Sequence, residues 1–373
     1  TSYGNAGVIS PWSIIPMALP GLWKKVPGMM LSPDRPLVVR ANFWPQMIPW
    51  GYKFLKQCGD SSVRATADAM ALLCTPSIDL FRQHLKGTGH EPLIADSWYV
   101  HAFRDGSKPN LDALDYRIRR EKGGDLELVT ESDLHQLEPA LSSKFRAAVL
   151  IKNQARALEP GKLATVLADK ACSLGAEILR FDSKALRRND TGWEIIGSGQ
   201  RLQASRVILA AGIWSAKLLA PLGVKLPLVS DRGYHMEYHN PGITLHNSIM
   251  DVDAKIIASS MNNGLRLAGA AEFAHPEHKP DQDRQQLLTA QAKALFPDLA
   301  VDQASFWMGR RASFPDSLPV LGPIASQTGL FAAFGHSHFG LMMAPKTGEV
   351  LAELLTGIKP TIDIRAFSCD RFR

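Results

Sequence analysis

Two neighbouring stretches near the C-terminus carry the residue types that do chemistry. Gly309-Arg310-Arg311-Ala312-Ser313-Phe314-Pro315-Asp316-Ser317-Leu318-Pro319-Val320-Leu321-Gly322 sets an arginine pair among glycines and prolines, and Phe334-Gly335-His336-Ser337-His338-Phe339-Gly340 follows. Loops of this composition hold ligands more often than they fill cores. Glycine permits positive φ and close backbone approach, and an arginine can grip a carboxylate through two parallel hydrogen bonds. His336 and His338 bring no third ligand with them, so no metal site is expected. A third stretch, Val207-Ile208-Leu209-Ala210-Ala211-Gly212-Ile213-Trp214-Ser215, is a short apolar run ending in small residues. Such an end lets backbone amides reach a dinucleotide above a parallel sheet, although a core strand ending in a turn reads equally well.

These residues need elements to position them. Helices are expected around Tyr52–Cys58, over Val63–Cys74 and over Ser77–Gln83, with Pro76 breaking the last two apart. A strand is expected at Ser97–Phe103, then a helix at Pro160–Ser173 with Gly175 as its cap. Glu177–Phe181 and Gly192–Gly197 read as strands, and Arg206–Gly212 as a central strand buried on both faces. A helix can begin at Trp214. Leu226–Trp307 is mixed and strand-rich around a charged helix near Asp281–Leu295. The final helix is expected over Thr347–Leu355, opened by Ala344-Pro345-Lys346-Thr347-Gly348 and stopped by Gly357. The pattern implies two interleaved domains, a nucleotide-binding α/β layer and an α+β lid.

Composition narrows the class. A chain of 373 residues with 45% hydrophobic and 21% charged residues can bury a sizeable core. The net charge of +6 comes from scattered basic residues that build no stripe, which argues against nucleic acid. It leaves room for anionic membrane surfaces or acidic partner subunits. Cys58, Cys74, Cys172 and Cys369 are too far apart for a metal motif or a disulfide scaffold. No apolar run reaches membrane-spanning length and no signal peptide is read, so a cytoplasmic chain, or one peripheral on the inner face of the membrane, is expected.

The motifs resemble those of the FAD-dependent D-amino-acid oxidase/dehydrogenase family, nearest its D-amino-acid dehydrogenase small-subunit branch. Gly309-x-Arg311 resembles the family's Gly-x-Arg-Pro, with Ala312 in place of the proline; Val207–Ser215 resembles its Val-Leu-Ala-Ala-Gly-x-Trp-Ser. Asp231-Arg232-Gly233-Tyr234-His235-Met236-Glu237 is similar to the branch's Arg-Gly-Tyr-His, and Thr1-Ser2-Tyr3-Gly4-Asn5-Ala6-Gly7 and Leu31–Leu37 to the same branch. The resemblance implies a Rossmann-like FAD-binding domain of the glutathione-reductase type, over 1–82, 154–226 and 309–373. An antiparallel-sheet substrate domain is implied over 83–153 and 227–308. It implies that Gly4, Asn5, Ala6, Gly7, Ala211, Gly212, Trp214, Gly335, His336, Gly340 and Thr347 hold FAD. Arg311 would bind the substrate carboxylate, with Tyr234 and His336 beside the reacting groups.

The implied reaction is oxidation of an amino acid, a D-amino acid in this branch, to a 2-oxo acid and ammonia, with electrons passing to a carrier or quinone. Glycine, sarcosine or hydroxyproline oxidation is the alternative within the fold. The Gly-x-Gly-x-x-Gly unit expected on an opening strand–turn–helix is absent from the sequence. An N-terminally incomplete record is therefore expected, and a non-catalytic fragment is the rival reading.

Overall fold

The computed structural model describes residues 2–372; Thr1, which starts the expected opening loop, and Arg373 lie outside them. The first half of the chain supplies β1 (Val8–Ile9), β2 (Leu37–Val39), β3 (Ile94–Phe103), β4 (Leu126–Thr130) and β5 (Ala147–Ala157). A small antiparallel meander follows, β6 (Ser183–Asn189), β7 (Gly192–Gly197) and β8 (Arg201–Ala204), then the short β9 (Val207–Leu209). The chain returns through β10 (Val229–Tyr238), β11 (Ser248–Asp251), β12 (Ile256–Met261), β13 (Gly264–Phe273) and β14 (Ala304–Ser313). β15 (Val320–Pro323) and β16 (Leu330–Phe334) complete the strands.

The first five strands and β10–β14 form one sheet, in the order β1-β5-β3-β11-β12-β13-β10-β14, with β2 beside β13 and β4 beside β5. Its pairings are antiparallel except β3 with β11 and β2 with β13. A separate sheet runs β15-β16-β9. Around these lie α1 (Leu22–Leu31), α2 (Trp44–Lys56), α3 (Asp60–Cys74), α4 (Ser77–Leu85), α5 (Leu114–Glu121) and α6 (Glu131–Leu137). The remaining helices are α7 (Pro160–Ser173), α8 (Ser215–Leu219), α9 (Asp283–Leu295) and α10 (Gly340–Thr356). This is the expected α/β plus α+β class.

Alternation along β10 explains the main core. Tyr234, Met236 and Tyr238 point to one face and pack with Leu288, Ala292 and Leu295 of α9, while Asp231, Gly233, His235 and Glu237 point to the other. A second core joins Val63, Met70 and Leu73 of α3 to Met343, Val350 and Leu351 of α10.

Four expectations are corrected. Glu177–Phe181 forms no strand, and Ile178 and Leu179 are exposed, because no neighbouring strand among the described residues pairs with the segment. For the same reason β9 is an edge with Ile208 exposed: it pairs only with β16 on one side. The last helix begins at Gly340, seven residues before Thr347, with Pro345 inside it. Pro345 looked like a helix start because its missing N–H is tolerated there. Likewise α2 begins at Trp44 rather than near Tyr52, with Pro45 in its first turn and Pro49 inside, and α1 forms around Pro27. The C-terminal end of α10 is as expected, with Gly357 at φ 78°.

Candidate active site

Arg311 lies on the last turn of the ladder between β14 and β10, opposite Asp231. Its Nη1 donates to both Asp231 carboxylate oxygens, at 3.4 and 3.3 Å, and to the Ala270 carbonyl at 3.1 Å. That carbonyl is available because β13 bulges there: the register shifts between Arg232 and Tyr234, and Ala270 takes φ 61°. Gly233 leaves room for the guanidinium, since a Cβ at Gly233 would stand 2.0 Å from Nη2. Among the described residues every side-chain hydrogen bond of Arg311 uses Nη1, which leaves the Nη2–Nε side of the fork without a hydrogen-bond partner among them and able to take a carboxylate. The side chain is 23% exposed while Asp231 is buried. Burial raises the Asp231 pKa, and the Arg311 charge works against that rise.

The same face of β10 and β14 carries the opening loop. Arg266 on β13 donates to the Tyr3 and Asn5 carbonyls, each at 2.8 Å, and is paired with buried Glu237 at 2.6 Å. His235 Nδ1 lies 3.1 Å from the Gly4 carbonyl, and its ring stacks on Trp307 with centroids 5.1 Å apart. Gly4 and Gly309 make space for that indole: a Cβ at either would come within 1.8 or 2.3 Å of it. The Asn5 side chain accepts from Gly7 N–H at 2.8 Å, and Ala157 N–H donates to the Gly7 carbonyl at 2.7 Å. Tyr3 to Gly7 is thus a rigid loop bolted to the sheet.

The other two glycine loops also meet β14. The short 3-10 turn Gly212–Trp214 touches it, and the Arg310 guanidinium lies 5.8 Å from the Trp214 ring. Gly212 takes φ 57° with open space where a Cβ would stand. Ser313 forms an isolated bridge with His336, and its hydroxyl lies 2.9 Å from that of Ser337. His336 Nε2 is 3.1 Å from the Thr347 hydroxyl, so Thr347 steadies the loop from inside α10 rather than opening the helix. The free N–H groups of the helix start instead at Gly340, beneath the Gly335–Gly340 loop.

Burial, with the Arg266 charge adding to it, lowers His235 to about 4; burial lowers His336 to about 4. Both sit below the ordinary 6.5. Between 6.5 and 4 the unfolded chain therefore takes up protons that the folded one refuses. The contribution of these two histidines to stability is expected to be full above pH 6.5, to fall by on the order of a few kcal/mol as pH drops, and to be lost below 4. Thermal unfolding followed across this range checks it; a midpoint that stays constant down to pH 4 contradicts neutral burial.

Of the expected site residues, Arg311, His336, Gly4, Gly212 and Trp214 therefore come together along β14, with Gly335 and Gly340 in the loop that His336 ties to it, while Gly7 meets Ala157 of β5 and Met261 of β12 instead. Tyr234 does not join them. It faces the opposite side of the sheet, where its hydroxyl donates to buried Glu272 and accepts from Arg232 Nη2 at 3.2 Å and Asp281 N–H at 3.1 Å. Sequence reading missed Asp231, Ala270, His235, Glu237, Arg266 and Trp307. The alternation Asp231-x-Gly233-x-His235-x-Glu237 was the available signal, because it puts four polar or small residues on one face.

Three glycine loops gather around one strand beside Arg311, an arrangement that would suit a flavin ring and a carboxylate. The residues fit that group: glycine backbones offer flat access, and the α10 N-terminus offers N–H donors. The chain belongs to the DAO family of FAD dependent oxidoreductases, whose model matches residues 1–354. It is an FAD-dependent oxidoreductase of the amino-acid class acting on CH–NH groups.

A D-amino-acid oxidase of Bradyrhizobium diazoefficiens is 34% identical over all of this chain and 89% of its own length. A D-amino acid dehydrogenase of the same organism is 29% identical over all of the chain and 90% of its own. Glycine oxidase from Geobacillus kaustophilus has the same fold, with TM-score 0.72 at 21% identity over 99% of this chain and 88% of that one.

Proposed function

We propose that the chain oxidises a D-amino acid to an imino acid, which hydrolyses to a 2-oxo acid and ammonia, and passes the electrons to a carrier or quinone. The observation that carries this reading is the convergence of three sequence-distant glycine loops on one strand beside Arg311. FAD, when bound, supplies the two-electron chemistry by accepting hydride from the substrate Cα. Arg311 holds the substrate carboxylate on its Nη2–Nε edge, while Asp231 and the Ala270 carbonyl fix the other edge. That clamp fixes the Cα–H direction, which matters more than a protein base. His336, kept neutral by burial, orients the Gly335–Gly340 loop through Thr347. The opening loop and the Gly212–Trp214 turn complete the cradle. We assign 1–82, 154–226 and 309–373 to the cofactor side and 83–153 and 227–308 to the substrate side.

The test is to load the protein with FAD and mix it anaerobically with D- and L-amino acids, glycine and sarcosine. Bleaching of the flavin absorption by D-amino acids is expected, with faster reoxidation by a soluble quinone than by oxygen. Bleaching by glycine or sarcosine alone would move the reading to that substrate class. A loaded flavin that none of them bleaches sinks it.

A further inference from the structure

We propose that α1 and α2 form a docking surface for an anionic lipid bilayer. The proposal deepens the reading above by naming where such a chain would meet a membrane-dissolved acceptor; only the identity of that acceptor rests on it.

The two helices flank β2. α2 and the turn before it bury one stripe, Phe43, Met47, Trp50 and part of Phe54, against Val229, Phe273 and β2, and α1 contacts β2 as well. That stripe satisfies the core. A second stripe on α2, Trp44, Ile48, Tyr52 and Leu55, recurs at three- and four-residue spacing and faces outward. α1 buries none of its residues and presents Trp23 and Leu31. These six large apolar side chains are each 42% to 85% exposed. A helix apolar on two faces has one face left over after folding.

Along this segment basic residues outnumber acidic ones. From Gly21 to Lys56 the sequence carries Lys24, Lys25, Arg35, Arg40, Lys53 and Lys56 against the single acid Asp34. Arg35 and Arg40 turn inward to Asp281 and Glu272, which leaves the outward charge to the four lysines. Lys24 lies 5.5 Å from the Trp23 ring and Lys56 4.5 Å from the Tyr52 ring, so ammonium and aromatic groups share one layer.

This composition favours lipid over protein. Protein interfaces deplete lysine at their centres, whereas helices lying in a bilayer interface combine lysine on the polar side with tryptophan, tyrosine and aliphatic anchors. No helix among the described residues is long and apolar enough to cross a membrane, so these helices would lie on it.

The test uses the full chain in co-sedimentation with vesicles of phosphatidylcholine and phosphatidylglycerol in equal parts, and with phosphatidylcholine alone. Binding is expected to the anionic vesicles and to weaken as salt rises. The pair Lys53→Glu and Lys56→Glu should weaken it about thirtyfold or more, from roughly a tenfold factor or less per lysine near an anionic surface. The triple variant Trp44→Ser, Ile48→Ser, Leu55→Ser should abolish binding while far-UV circular dichroism and the thermal midpoint stay as in the parent, since all three positions are outside the core. The proposal is overturned if the parent ignores anionic vesicles at low salt, or if both variants bind like the parent. It is equally overturned if the triple variant only breaks up self-association seen by ultracentrifugation, which would assign the stripe to a protein interface. Vesicle binding needs no turnover, so its failure and a failure of flavin reduction are separate results.

Discussion

Arg311→Lys is expected to slow reduction of bound FAD by a D-amino acid by about 10²–10³-fold in kcat/KM, with FAD retained. A lysine keeps the charge but cannot hold Asp231 with one edge and a carboxylate with the other, because its ammonium is a point donor on a flexible stem. The loss should fall on substrate reduction and leave reoxidation by the acceptor untouched, and stopped-flow spectra under both conditions separate the two. Arg311→Ala adds a second effect. It strands Asp231, already pushed up in pKa by burial, without its partner. Removing one member of a buried pair destabilises by about 3–5 kcal/mol. Combining Arg311→Ala with Asp231→Asn should restore most of the stability and none of the reduction rate. Unchanged reductive kinetics in Arg311→Lys would remove this residue from the proposed site.

Arg266→Met is expected to lower stability by about 3–5 kcal/mol, because Glu237 is left charged and unpaired in the core. It also takes away the donors that hold the Tyr3 and Asn5 carbonyls. FAD should therefore dissociate more readily than stability alone would predict. Adding Glu237→Gln separates these effects: denaturant unfolding should recover toward the parent while FAD retention stays weak. Full FAD retention in the double variant would show that the loop needs no anchor from the sheet.

Much of this site was legible because glycine and arginine carry their chemistry in their identity. Gly4, Gly309 and Gly233 are each required by a side chain that would otherwise clash, and Arg311 stands out between Gly309 and the Pro-Asp-x-x-Pro turn, although it lies on β14 and not in a loop. The side on which a residue faces is different information. Tyr234 sits one position beyond Gly233, and only the pairing of β10 with β14 reveals that it faces the α9 core. Strand identity was hidden for a related reason. Ile178 and Leu179 have the composition of a strand, but a strand exists only beside a partner, and none pairs with them here. Prolines obscured the helix limits: Pro27 and Pro49 sit inside α1 and α2, and Pro345 sits inside α10 rather than at its start. The four lysines near α1 and α2 looked scattered because thirty-odd residues separate the outermost two, while β2 sits between the helices that carry them.

The gathering of three loops on β14 has a further consequence for how such a protein can change. Trp307, Gly309 and Arg311 occupy alternate positions of one strand. Inserting or deleting a single residue upstream of them within that strand would turn all three to the wrong side together. Each side chain there can vary separately, but the count of residues cannot. Natural variation in length is therefore expected to accumulate in the connections between strands, and β14 to behave as a fixed ruler against which the rest of the site is measured.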